Sequence, residues 1–214
     1  MHSLLDYDGN LPAYVNITDG KTADNKGAYG IPLVKRSVIV ADRFYNDFDK
    51  LNVWDSNAVF FVIRHKENLK FKTVKELELS DNKHEHILKD EIIELKNEDS
   101  KKKYKEKLRP VSIWNDENKQ VIELITNQLN WSANTSSELY KARWQIEIFF
   151  REIKQLLHIK TFIGTSQNAV MIQIWTALIT ILILKALKAM AKFIWHLSNL
   201  VAFIRLNIFV KIEL

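Results

Sequence analysis

The chain contains no cysteine. That removes disulfides, thiolate-bound metals and a cysteine nucleophile from consideration, and it fits a reducing compartment. Acids are missing from residues 153–212, although Lys154, Lys160, Lys185, Lys188, Lys192, Arg205 and Lys211 all lie there. The whole chain nets +5, so the basic surplus sits in this last third and the remainder is slightly acidic. At the N-terminus, Met1-His2-Ser3-Leu4-Leu5-Asp6 lacks a basic segment and meets an acid at once, so no signal peptide is expected. The longest apolar run, 169–184, is interrupted by Gln173 and followed by lysines. It falls short of the roughly 18–20 residues of a membrane span. A buried core helix and no membrane partner are expected, with a membrane hairpin of 169–184 and 193–210 as the alternative.

What is present suffices for a packed domain. With 47% apolar residues in 214, one domain, or one carrying an insertion, can bury a sizeable core. Runs at 2–7 and 11–18 read as strands joined by the turn Asp8-Gly9-Asn10, and 19–24 as a loop. Ser37-Val38-Ile39-Val40-Ala41 reads as a short strand buried on both faces that stops at Asp42. A short helix over 45–51 and a second buried strand over 58–63 follow. From Arg64 to Trp131, dense charge alternates with short apolar runs, the pattern of antiparallel strands with one wet face. Lys101-Lys102-Lys103-Tyr104-Lys105 reads as a solvated turn there, with a DNA contact as the alternative. Thr135-x-x-Glu138 is a capping box that starts a helix, and after Gly164 the chain reads as helical to its end.

On the helix after that cap stand Tyr140, Arg143, Glu147 and Lys154. At 100° per residue they lie at roughly 0°, −60°, −20° and −40°, a row about 21 Å long. Ile146, Phe149, Phe150, Ile153, Leu156 and Leu157 form an apolar arc about 110° away by the same geometry, so the row would stay at the rim of a core. One carboxylate among two cations and a phenol suits a metal ligand working against phosphates. Divalent-metal phosphodiester chemistry uses hard oxygen ligands on a rigid frame, and Asp42 at a strand end is a second such oxygen donor. Taken alone, Asp42 reads as a turn residue that bonds nearby backbone, and Glu147 as a partner of Arg151 one helical turn on. Together with the spaced Tyr, Arg and Lys they read as a site.

The segment Tyr140-Lys141-Ala142-Arg143-Trp144-Gln145-Ile146-Glu147-Ile148-Phe149-Phe150-Arg151-Glu152-Ile153-Lys154 resembles the Y-(2)-R-(3)-E-(6)-K signature of DDE transposases from bacterial insertion sequences. Val38-Ile39-Val40-Ala41-Asp42-Arg43-Phe44-Tyr45 resembles the strand with that family's second catalytic aspartate. The opening, His2 to Gly9, resembles the strand and turn that follow the first. The resemblance implies an α/β, ribonuclease H-like core interrupted by a β-rich insertion and followed by C-terminal helices. Its parts would be core residues 1–64, an insertion over 65–131, and the signature helix with C-terminal helices over 132–214. It also implies Mg2+-dependent DNA cleavage and strand transfer, with Asp42 and Glu147 as catalytic metal ligands and Tyr140, Arg143 and Lys154 on DNA phosphates. Trp144 would either stack on unpaired DNA or pack inside. Partners would be transposon terminal inverted repeats, target DNA and a second copy, in the bacterial cytoplasm at the nucleoid. The family's first aspartate precedes the segment matching His2. Asp6 and Asp8 fall in a turn and Asp24 in a loop, so the chain is expected to lack the core's first strand and to be a truncated transposase, inactive alone. A non-catalytic DNA-binding fragment or inhibitor of transposition is the alternative.

Overall fold

A computed structural model describes residues 1–18, 30–65, 69–79, 86–156, 163–164 and 166–207. The expected 19–24 loop, Asp24, Leu157, Lys160 and Lys211 lie outside them. The chain divides into two compact units, Met1–Leu4 with Pro12–Trp144, and Leu5–Leu11 with Gln145–Leu214.

The first unit is built on a mixed six-stranded sheet of order β3-β4-β8-β7-β6-β5. Its strands are β3 (Val38–Ala41), β4 (Phe60–Arg64), β5 (Phe71–Glu76), β6 (Ile87–Leu95), β7 (Arg109–Asn115) and β8 (Gln120–Thr126). Only β3 and β4 pair in parallel, and the others are antiparallel. Residues 65–131 thus supply four of the six strands, all continuous with β3 and β4 in one sheet. A separate pair, β1 (His2–Leu5) and β2 (Pro12–Asn16), forms its own two-stranded sheet. Among the described residues the hairpin and β3 share no ladder.

Burial explains why β4 reads as continuously apolar. Phe61 and Ile63 enter one core cluster while Val62 enters the other, on the opposite face, as alternation of side chains along a strand requires. The β3 strand departs from expectation: only Ile39 of it is buried, and among the described residues β4 is its one ladder partner. The expected helix at 45–51 is displaced. A 3-10 turn occupies Arg43–Tyr45, and α1 runs Phe48–Ser56 behind an Asp47 cap that accepts from the Asp49 N–H.

The lysine run is not a turn. It closes a helix, α2 (Glu98–Lys103), capped by Asn97 with Glu98 and Asp99 in its first turn and the lysines in its last. Acids at the start and bases at the end complement the helix dipole. The next helix, α3 (Ala133–Ala142), begins three residues earlier than the Thr135 box, since the Ser132 hydroxyl accepts from the Thr135 N–H at 3.0 Å. A buried guanidinium sets this entry. Arg109 donates to both carboxylate oxygens of Asp90 at 2.8 and 2.6 Å, and to the backbone carbonyls of Leu129 and Trp131.

The second unit holds α4 (Trp144–Leu156), α5 (Gln167–Met190) and α6 (Leu197–Asn207), with only Trp144 of α4 counted in the first. Lys185 organises it: the ammonium lies 3.4 Å from Glu152, donates to the Asn10 carbonyl at 3.0 Å and sits over the Phe149 ring. The expected shortfall in length is corrected here: α5 reaches 24 residues and is long and apolar enough to cross a membrane by length and composition, a test that the core helix of a soluble protein also passes. Its buried residues are Ala177, Leu178, Ile181 and Leu184, while Ile172, Trp175, Ile179 and Ile183 are exposed.

Removing Arg109 would leave the Asp90 carboxylate buried and unpaired. Arg109→Met should cost about 3–5 kcal/mol in urea unfolding, and the double change Arg109→Met/Asp90→Leu should recover most of it. Equal losses in the single and double variants would refute this account of the pair.

Candidate functional site

Asp42 follows the last residue of β3. Its carboxylate caps the succeeding 3-10 turn by accepting from the Arg43 N–H at 2.6 Å. This is the backbone role that the residue read alone suggested, and one oxygen is engaged in it. The other oxygen lies 3.8 Å from a guanidinium nitrogen of Arg143. The carboxylate is partly exposed and Arg143 mostly covered.

Arg143 marks the end of α3. Its N–H returns to the Tyr140 carbonyl at 3.1 Å, and α4 starts at the next residue. The expected single helix is therefore two, meeting at Arg143, which itself keeps helical φ and ψ of −52° and −30°. Neither Gly nor Pro marks the break, and the uninterrupted amphipathic pattern hid it. Tyr140 packs among Val62, Val111, Leu124 and Ala133, and the Arg143 guanidinium lies 5.5 Å from the centre of its ring.

Arg64 is a member of this group that sequence reasoning missed. The parallel register sets Ala41 beside Ile63, so Asp42 and Arg64 follow at the same end of adjacent strands. Burial pushes the Tyr140 hydroxyl above its ordinary range. Arg143 opposes the shift, the Asp42 charge adds to it, and Arg64 opposes it. The signal lay in the strand ends, legible only once the parallel pairing is known.

Within the second unit, Glu147, Phe150, Arg151, Lys154 and Gln155 line an open depression of about 360 Å3. Glu147 is half-buried and Lys154 exposed. The structure thus brings together Asp42, Arg143 and Tyr140 in one unit, and Glu147 and Lys154 in the other. Trp144 is 52% exposed, so the interior packing role held open for it is corrected: α4 starts at this residue and turns the indole outward.

Residues 1–183 match the family model of the transposase DDE domain. The chain belongs to that family. A Geobacillus stearothermophilus protein assigned as the transposase for insertion sequence element IS5377 is 31% identical over 207 residues, 96% of this chain and 54% of its own length. A Sinorhizobium fredii protein assigned as transposase y4zB is 30% identical over 188 residues, 86% of this chain and 52% of its own. A Synechocystis protein assigned as the transposase for element IS4SA is 26% identical, over 83% of this chain and 49% of its own. The chain spans about half the length of these curated relatives. The mixed sheet with its helices is the ribonuclease H-like α/β fold of DDE transposases.

DDE transposase domains generally use a divalent metal and bind DNA. Asp42 and Glu147, which fall in different units, each offer hard carboxylate oxygens of the kind that magnesium takes beside phosphate oxygens. Among the described residues no group of three His, Cys, Asp or Glu side chains could hold a metal.

The raised Tyr140 hydroxyl has a consequence for stability. An unfolded tyrosine ionises near pH 10 while the folded one stays neutral to higher pH, so its contribution is complete below pH 10 and is lost as pH rises through the folded value. Tyr140→Phe should therefore remove up to about 1 kcal/mol of the stability lost between pH 9 and pH 11. Urea titrations of both proteins at the two pH values measure it, and parallel losses would contradict the assignment.

Proposed function

We propose that this chain is the catalytic-core portion of an insertion-sequence transposase, in which Asp42 and Glu147 hold one Mg2+ against the DNA backbone. The observation that carries this reading is Asp42 at the end of β3, facing Arg143 and beside Tyr140, in a chain whose first 183 residues match the transposase DDE domain. Residues 1–64 and 132–214 would form the core and 65–131 the insertion. A bound divalent ion supplies activation of water or a 3′-hydroxyl and stabilisation of the leaving oxygen. The chain's own groups supply the rest. Arg143 presents a planar fork suited to two phosphate oxygens, and Lys154 adds a point charge. Tyr140 holds the Arg143 guanidinium by its ring face, and Trp144 offers an exposed surface on which an unpaired base can stack.

The partners in this reading are transposon terminal inverted repeats and target DNA, engaged by two copies of the protein at the bacterial nucleoid. In this reading the 214-residue chain alone binds DNA without cutting it. In that form it is a DNA-binding fragment able to inhibit transposition.

Two measurements test this. Calorimetric titration with Mg2+ should show Asp42→Asn and Glu147→Gln each weakening binding by about tenfold or more, since even outer-shell changes cost metal sites that much. Unchanged affinity in Glu147→Gln would end the shared site. Duplex DNA binding should weaken with salt at roughly −0.9 per neutralised phosphate, and Lys154→Gln should reduce the slope by about one phosphate. A slope unaffected by that change would remove Lys154 from the interface.

A further inference from the structure

Asp42 already has a cation. Its capping oxygen is engaged by the Arg43 N–H and its other oxygen faces Arg143 at 3.8 Å, with the charge of Arg64 close enough to act on the neighbouring Tyr140. A divalent ion approaching that second oxygen meets the guanidinium in its path. Like charges a few ångströms apart repel, so ion and guanidinium cannot both sit on the same oxygen. The pair is long and partly exposed, the kind that exchanges at little cost. Arg143 is also held elsewhere, its guanidinium over the Tyr140 ring. It can therefore leave Asp42 without being cut loose.

We propose that Arg143 and a divalent cation compete for Asp42, and that exchange of Arg143 onto a DNA phosphate couples divalent-cation binding to DNA binding. This rests on the reading of Asp42 as a metal ligand. Metal entering at Asp42 releases Arg143 for a phosphate, and a phosphate that draws Arg143 away opens Asp42 to metal. The two affinities must then rise together by the same factor, because such coupling is reciprocal. Arg143 acts here as a positioning residue for the metal and as a direct contact for DNA.

The test titrates the full chain with Mn2+ alone, by calorimetry, in the wild type, Arg143→Gln, Arg143→Lys, Asp42→Asn and the double variant Asp42→Asn/Arg143→Gln. Arg143→Gln should tighten Mn2+ binding by roughly two- to tenfold, the range expected for removing one partly exposed charge. Arg143→Lys, which keeps the charge, should stay near the wild type, and in the Asp42→Asn background Arg143→Gln should change nothing. In a parallel arm, fluorescence anisotropy follows a labelled duplex with and without Mn2+. The wild type should gain DNA affinity on adding Mn2+, relative to Asp42→Asn under the same ions, and Arg143→Gln should not. Mn2+ affinity in Arg143→Gln equal to or weaker than the wild type overturns the proposal while leaving Asp42 a metal ligand. Equal Mn2+ affinity in the wild type and Asp42→Asn overturns both the proposal and the reading beneath it.

Discussion

A charged pair inside an apolar sheet governs where the candidate site begins. Arg109 and Asp90 are both buried, on neighbouring strands, and the guanidinium spends its remaining donors on the carbonyls of Leu129 and Trp131. Those carbonyls belong to the connection between β8 and α3. The same side chain that satisfies Asp90 thereby pins the chain one residue before the Ser132 cap. From that cap α3 carries Tyr140 into the core beneath the sheet and delivers Arg143 to Asp42. A buried ion pair is weak evidence for net stability, but here its geometry ties three segments distant in sequence. The insertion-like strands are therefore structural neighbours of the site rather than ornament.

Electrostatics at the strand ends follow from topology. Parallel pairing of β3 with β4 aligns their C-terminal ends, so an acid and a base fall side by side as Asp42 and Arg64. A second base arrives from α3. The result is a carboxylate that faces the Arg143 guanidinium, with the Arg64 charge acting on the adjoining Tyr140. In the proposed exchange, a divalent ion and a polyanion brought together replace that one intramolecular pair with two intermolecular ones. Tyr140, buried with its ring toward Arg143, keeps the guanidinium within reach of both.

Much of this was legible in the sequence, and the exceptions have physical reasons. The hairpin, the two apolar strands and the antiparallel meander carry their periodicity openly, and Asp42 ends its strand where the apolar run ends. The spacing of Tyr140, Arg143, Glu147 and Lys154 led to the right family although the single helix it assumed is two. Helix breaks without Gly or Pro leave no mark in composition, and one tighter turn at Arg143 was enough. The short helix at 98–103 was hidden by its lysines, whose favourable place at a helix C-terminus depends on the acids three residues before. The length of α5 was underjudged because the apolar run alone was counted, whereas the helix continues through Lys185, whose long stem reaches Glu152 and Asn10. Arg64 was missed because only the register of two strands makes it a neighbour of Asp42.

The account stands on Asp42 and Glu147 gripping one ion. A crystal structure of the full chain grown with Mn2+ and duplex DNA, with the metal located by its anomalous signal, tests this most directly. The account predicts one Mn2+ about 2.1–2.3 Å from an oxygen of each carboxylate, as hard-cation ligand distances require, with Arg143 on a phosphate. Carboxylates more than about 10 Å apart, too far for any shared ion at such distances, would contradict it.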